Sequence, residues 1–431
     1  MNPSAVRRVA IIGGNRIPFA RSNTAYATCS NHEMLAAAIN GLVHRFNLQN
    51  HVIDEVVAGA VMKHARDFNL TREVILSTDL APQTPCYDIQ QACGTGLEAA
   101  ILVANKIALG QIEVGIAGGV DTTSDAPISV NNELRKILLE ISRSKTAAER
   151  LKAVSKIRPK QIIPEIPVNG EPRTGLSMGD HCQITAHEWQ ISREEQDIFT
   201  VESHSKLASA YNKGFFDDLI TPFNGVAKDL ILRADSTVEK LSTLKPCFDK
   251  NSGTMTAANS TALTDGASSL LLASEEWAKE RGLPILAYMG FSQTAAVDFI
   301  HQKDGQKPEG LLMAPAYAVP NLLRKLGLTL QDFDFYEIHE AFAAQVLATL
   351  KAWDDEKFCE QKLGLKKKLG TIDRAKLNVN GSSLATGHPF AATGCRIIAT
   401  LAKLINENGG GRGLISVCAA GGQGVVAVIE K

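Results

Sequence analysis

No apolar run in the 431-residue chain approaches the roughly 18 to 20 residues that span a bilayer. The short run Val9–Ile12 behind Arg7 and Arg8 also falls well below a secretory core of about 7 to 15 residues. These absences predict no integral membrane segment and a cytoplasmic location. Charge of one sign is not in excess either: 45 Lys+Arg balance 46 Asp+Glu, which argues against nucleic acid as a partner. The eight cysteines, at 29, 86, 93, 182, 247, 359, 395 and 418, form no C-x-x-C pair, so we read them as free thiols. Ile11-Ile12-Gly13-Gly14-Asn15 lacks the spacing of G-x-G-x-x-G, and G-x-x-x-x-G-K-[ST] is absent, so nucleotide binding through those turns has no support. His181 and His187 are six apart, off one helical face. We expect no metal and no bound cofactor.

What is present is an element order used twice. A β-rich run Val9–Ile12, a helical pattern about Met34–Phe46 and a second β-rich run about Val52–Val61 come first. A helical spacing after Cys93-Gly94-Thr95-Gly96 and a buried strand Val114–Ala117 follow. The same order returns as Ile285–Met289, a helix near Val319–Leu326, a strand Phe333–Ile338, a helix over Ala391–Ile405 and a strand Leu414–Val417. Duplicated βα halves that pack together are expected. Between them, over 122–253, the strand pattern gives way to polar, helix-prone sequence with several prolines, read as an inserted domain. Residues 133–160 carry nine Lys/Arg against three glutamates there, and a helix pair with Leu138/Ile141 and Leu151/Val154 turned inward is expected. Its basic face is read as a docking surface for a partner subunit or anionic lipid.

Four segments carry reactive residues where strands end or helices open: Gln91-Ala92-Cys93-Gly94-Thr95-Gly96, Ile338-His339-Glu340-Ala341-Phe342, Gly387-His388-Pro389-Phe390-Ala391 and Cys418-Ala419-Ala420-Gly421-Gly422-Gln423-Gly424. In an open α/β sheet such positions face a crevice. Cys93 at a helix start has the environment of a nucleophile, because the positive helix end and nearby N–H groups stabilise thiolate. His388 could take its proton. His339 could donate to a carbonyl oxygen, and Cys418 could serve an α-carbon as acid and base. Each signal alone fits an ordinary core residue; together they point to one site.

These four blocks resemble the signatures of the thiolases, and the H-E-A-F form resembles the β-subunit type found in trifunctional fatty-acid oxidation complexes. The resemblance runs nearly the whole chain, through Ser177-Met178-Gly179, Ser192–Asp197 and Gly253–Asn259. Ala391 and Ala420 stand where the family often has glycine, and Thr261 where it often has serine. The resemblance implies duplicated halves in a layered α/β/α/β/α core: 1–121 plus 254–275, the inserted loop domain 122–253 on the CoA-binding side, and 276–431. It implies reversible thiolysis of a 3-ketoacyl-CoA by CoA, with Cys93 as nucleophile, His388 activating it, Cys418 as acid/base and His339 in an oxyanion hole. Backbone N–H groups of Cys93 and Ala420 would form a second oxyanion hole. Met178, Ala257, Thr261, Ala341 and Phe342 would line the CoA and acyl path. Acyl-CoA and CoA are then substrates, the chain a homodimer or dimer of dimers, and a hydratase/dehydrogenase α-subunit a further partner. The alternatives are an acetoacetyl-CoA-forming biosynthetic thiolase, a ketoacyl synthase-like condensing enzyme and a non-catalytic thiolase-like subunit. Cys418 argues against the synthase, which obtains its enolate by losing CO₂ and needs no second thiol.

Overall fold

The computed structural model describes residues 6–302 and 307–431. Ten strands form the sheet framework: β1 (Val9–Arg16), β2 (Ala20–Arg21), β3 (Glu55–Ala58), β4 (Cys86–Asp88), β5 (Val114–Asp121), β6 (Thr264–Ser274), β7 (Ala287–Ala296), β8 (Phe335–Ile338), β9 (Arg412–Ala419) and β10 (Gln423–Glu430). The order β4-β3-β5-β6-β1 continues into β7-β10-β9-β8, while β2 adds to β6. The join is short: β1 meets β7 only over Val9–Ile11 against Met289–Ala287. Pairing directions repeat across the join. β3 runs parallel to β5 as β8 does to β9, and β6 lies antiparallel between β5 and β1 as β10 does between β9 and β7.

Duplication therefore extends to β6 and β10, two strands that the hydrophobic pattern does not single out. In the second half β9 and β10 are joined by the tight turn Ala420–Gly422. In the first half the equivalent β5-to-β6 connection is the long insertion. It contains helices Asn132–Arg143, Ala147–Val154, Met178–Glu188, Arg193–Asn212 and Val238–Ser242 and no named strand.

Strand alternation divides the interior into three cores, because successive side chains leave opposite faces. Ile11, Leu270, Leu272, Val425 and Ala427 join helices Thr95–Ala108 and Thr393–Glu407 in a central core. Ala10, Ile12, Leu271 and Ala273 face helix Asn31–Arg45 on one outer side. Val426 and Val428 face helices Ala314–Leu326 and Ala343–Asp354 on the other. This is the layered α/β/α/β/α arrangement. At about 25 cal/mol per Å² of apolar surface, these three cores supply the dominant stabilisation.

The two central helices meet at glycine. A Cβ on Gly96 would lie 2.5 Å from the Ala391 carbonyl oxygen, and one on Gly394 would lie 2.0 Å from the Leu97 nitrogen. Real side chains do not fit such gaps, so the glycines let the helix starts abut and draw the Cys93 and His388 segments together.

Two expectations change in detail. The histidine segment does not sit directly on a helix start: Phe390–Ala392 forms a 3₁₀ turn and the helix opens only at Thr393. The basic helix pair forms, but with a different buried face. Ile137 and Ala153 are buried, whereas Leu138, Leu139, Leu151 and Val154 are 43%, 39%, 70% and 46% exposed. Ile141, expected inward, is half-buried one turn on from Ile137, while Leu138, Leu151 and Val154 are exposed, so the hairpin carries apolar side chains outward beside its cations. No helix among the described residues is long and apolar enough to cross a membrane.

Candidate active site

Cys93 sits on a turn between β4 and helix Thr95–Ala108. Ala92 before it takes φ 46°, a left-handed backbone that costs a non-glycine residue about 1–2 kcal/mol. Thr95 holds this turn, its hydroxyl donating to the Ala92 carbonyl at 2.7 Å and accepting from the Gln91 N–H at 2.9 Å. The turn aims Cys93 at His388, whose Nε2 lies 3.1 Å from Sγ. The other ring nitrogen, Nδ1, is 2.6 Å from the Thr393 hydroxyl. If Nδ1–H donates to Thr393, Nε2 is free to accept the thiol proton.

Burial, rather than the helix end, dominates the sulfur's electrostatics. It pushes the Cys93 thiol up to about 12, although backbone N–H groups of Ala420 and of Cys93 itself bond the sulfur. Burial thus outweighs the thiolate stabilisation expected from the helix end, and the sulfur keeps a proton for His388 to take. Burial, reinforced by Arg396, lowers His388 to about 3, so it rests as the neutral base. A neutral thiol–imidazole pair has no charge to hide in a dry pocket, and the ion pair forms only as sulfur attacks.

His339 follows β8 and is fully buried. Its ring stacks at a tilt on that of His388, with centroids 4.1 Å apart. Burial, then His388 and Arg396, hold it well below the usual histidine range. Its Nδ1 is 2.7 Å from the Ser383 hydroxyl, and its Nε2 is buried without a partner among the described residues. Cys93, His339 and His388 each bring one donor atom to within 4.8 Å of the others. Cys418 lies near the end of β9, is buried, and stands two residues before Ala420, whose N–H bonds the Cys93 sulfur. Burial, with Cys93 and Cys182, raises its thiol well above the ordinary value. It is therefore a held proton.

The block around His339 is tied down by its neighbour Glu340. That buried carboxylate accepts from the Ser203 hydroxyl at 2.8 Å, Asn378 Nδ2 at 2.6 Å and the Leu384 N–H at 3.1 Å. Ser203 lies on insertion helix Arg193–Asn212, so the insertion contributes to the site's frame.

A cavity of about 390 Å³ opens beside the site, lined by Arg21, His204, Arg233, Lys240, Ala257 and Ser260 among others. Leu384 also lines it, one residue along the chain from Ser383, whose hydroxyl meets His339. Of the five residues carried over as the CoA path, only Ala257 lines this cavity. Thr261 binds the Ala341 carbonyl through N–H at 3.1 Å and hydroxyl at 3.0 Å. Phe342 is buried edge-on to Phe248, and Met178 packs partly buried against the adjoining core. The cations Arg21, Arg233 and Lys240 escaped the sequence reading, because no motif links positions that meet only in the fold.

Gly175-Leu176-Ser177-Met178-Gly179 has the spelling of a serine-hydrolase elbow, G-x-S-x-G. Ser177 instead caps helix Met178–Glu188, accepting from the Asp180 N–H at 3.1 Å and donating to its carboxylate at 2.6 Å. It is a capping residue.

Comparison with known proteins agrees with this arrangement. Residues 9–276 match the family model "Thiolase, N-terminal domain" and residues 293–431 "Thiolase, C-terminal domain". A "3-ketoacyl-CoA thiolase" of Yersinia enterocolitica is 38% identical over 429 residues, covering 98% of this chain and 97% of that protein. "Trifunctional enzyme subunit beta, mitochondrial" of Bos taurus is 38% identical over 429 residues, covering 99% and 88%. Among solved structures, the Bacillus anthracis acetyl-CoA acetyltransferase superposes with TM-score 0.81 at 32% identity, covering 99% of each chain. Human mitochondrial 3-ketoacyl-CoA thiolase gives TM-score 0.80 at 26% identity, covering 99% of this chain and 100% of that one.

Proposed function

The chain belongs to the thiolase family, and we propose from its site geometry how it works as an acyl-CoA C-acyltransferase of fatty-acid oxidation, cleaving a 3-ketoacyl-CoA with CoA. The observation that carries this reading is the meeting of the 3.1 Å Cys93–His388 pair with a second buried thiol, Cys418. A nucleophile and its base occur in many acyl-transfer enzymes; a held proton beside them is what a released carbanion requires.

His388 Nε2 takes the Cys93 proton as sulfur attacks the 3-keto carbon. The oxyanion formed there lies against the N–H groups of Cys93 and Ala420, which bond the sulfur in the free enzyme. Cleavage of the C2–C3 bond leaves an acyl-Cys93 thioester and the enolate of acetyl-CoA. His339, with a free Nε2, faces the enolate oxygen. Cys418 then gives its proton to C2. The site now holds a protonated His388 and a Cys418 thiolate, and both are reset in the second half. Incoming CoA returns a proton to Cys418 as its sulfur attacks the thioester, and the departing Cys93 sulfur recovers its proton from His388. Ping-pong kinetics follow. A lost oxyanion donor typically costs about 10² to 10³ in rate, which sets the scale for His339.

The cavity cations Arg21, Arg233 and Lys240, against the single carboxylate Asp235, suit the phosphates of CoA. We place the chain in the cytoplasm as a homodimer or dimer of dimers, working with a hydratase/dehydrogenase subunit. Relatives named as a subunit of a trifunctional enzyme support that partnership, and the basic segment 133–160 is the docking surface we assign to it. Thiolysis of acetoacetyl-CoA and of a long-chain 3-ketoacyl-CoA, measured side by side with CoA, tests the activity. Turnover of neither would refute it.

A further inference from the structure

His339 must present a proton, rather than a lone pair, to an enolate oxygen, yet a neutral imidazole carries its single proton on either nitrogen. Three contacts decide which. Arg396 Nη2 donates to the Ser383 hydroxyl oxygen at 2.8 Å. A guanidinium has no lone pair to offer in return, so the Ser383 proton must point elsewhere. Ser383 is fully buried, and its other side-chain contact is His339 Nδ1 at 2.7 Å. The hydroxyl therefore donates to Nδ1, Nδ1 is an acceptor, and the ring proton resides on Nε2. That is the atom left buried with no partner among the described residues.

We propose that Ser383, oriented by Arg396, is a positioning residue that fixes the His339 tautomer and makes Nε2–H the donor to the enolate oxygen. The relay does not depend on a catalytic contact by Ser383 itself, which touches only the far side of the ring. Arg396 has a second role in the same direction. Its buried positive charge opposes protonation of both His339 and His388, so the imidazolium, which would donate from either nitrogen, is not available as a substitute. The guanidinium is itself braced by longer contacts to the Ser382 hydroxyl at 3.4 and 3.5 Å. The His388 ring has a matching hydroxyl, Thr393, on its Nδ1. Among the described residues no guanidinium donates to Thr393, so its hydroxyl is free to accept Nδ1–H and leave His388 Nε2 as the base, opposite in role to His339.

This inference rests on the proposed enolate chemistry, and its test separates the two. In protein labelled with ¹⁵N-histidine, the His339 signals, assigned by their absence in His339→Gln, should show the Nε2–H tautomer in the wild type, a readout independent of turnover. Ser383→Ala should mix the tautomers and slow thiolysis and C2 deuterium exchange by roughly 10- to 100-fold, the range for lost support of a functional imidazole. It should leave KM for CoA and acylation of Cys93 by a simple acyl-CoA unchanged. Ser383→Thr, which keeps the hydroxyl, should restore most of the rate. An Nδ1–H tautomer in the wild type would overturn the proposal, as would equal loss in both half-reactions or a threonine variant no better than alanine. A correct tautomer in a protein that cleaves no ketoacyl-CoA would instead overturn the enolate reading.

Discussion

Replacing Cys418 with alanine separates carbon–carbon chemistry from simple acyl transfer. The side chain is 2% exposed at the end of β9, so removing its sulfur leaves a small void and costs about 1–2 kcal/mol of stability, which a protein of this size tolerates. The chemical loss should be far larger. General acid–base groups contribute about 10² to 10⁴ in rate, equivalent to roughly 3–5 kcal/mol of barrier at 1.36 kcal/mol per decade. Burial holds the Cys418 thiol protonated, and Cys93 and Cys182 raise it further. Acylation of Cys93 by an acyl-CoA involves no carbanion and should survive. The assay is deuterium exchange at C2 of acetyl-CoA, followed by mass spectrometry alongside acylation of Cys93. Wild type should exchange and Cys418→Ala should not, while both acylate. Wild-type exchange in a folded variant would refute the role of Cys418 and the strongest ground for preferring a thiolase over a decarboxylating synthase.

Further expectations concern pH, the cavity and the hairpin. Because burial and Arg396 depress His388 to about 3, the base stays unprotonated as pH falls through the usual histidine range, so single-turnover acylation should hold its rate down to about pH 5; an acid limb centred near 6.5 would contradict this. Arg233→Ala should raise KM for CoA several-fold with kcat little changed, since it lines a cavity to which Cys93, His339, His388 and Cys418 contribute no wall; unchanged KM would remove the cavity from the CoA path. Reversing Lys136, Lys152 and Lys160 to glutamate should weaken association with the partner subunit in a salt-dependent way, because exposed charges are screened within about 8 Å at physiological ionic strength. Lys156 is left in place there because it pairs with Glu140 at 2.5 Å across the hairpin. Association unchanged in analytical ultracentrifugation would contradict the docking role.

The four reactive segments were legible because each combines a reactive side chain with the glycines or prolines of a strand end, and local sequence records both. The main strands and helices of both copies were legible from apolar periodicity as far as β5 and β9, but the short strands β2 and β4 were not. β6 was not, because it is buried on both faces and mixes Ser268 and Ser269 with Leu270–Leu272, leaving no period-2 signal. Its polar groups are satisfied by distant partners, such as the Ala392 and Ala38 carbonyls. The hairpin face was misjudged because Leu138 and Leu151 look like core residues by type; only the packing of the two helices on each other shows that Ile137 and Ala153 face inward. The protonation pattern lay out of reach altogether. Ser383 and Arg396 are ordinary residues in sequence, 44 and 57 positions from His339, and acquire meaning only through contacts of under 3 Å.

The central claim is that a 3-ketoacyl-CoA is cut through an acyl-enzyme on Cys93, and it can be tested without the second substrate. The protein is mixed with a 3-ketoacyl-CoA in the absence of CoA, the released acetyl-CoA is counted, and the digested protein is mapped by mass spectrometry. A burst of about one acetyl-CoA per active site is expected, with the shortened acyl group on the peptide containing Cys93. Acyl mass mainly on another cysteine, or no acetyl-CoA before CoA is added, would contradict it.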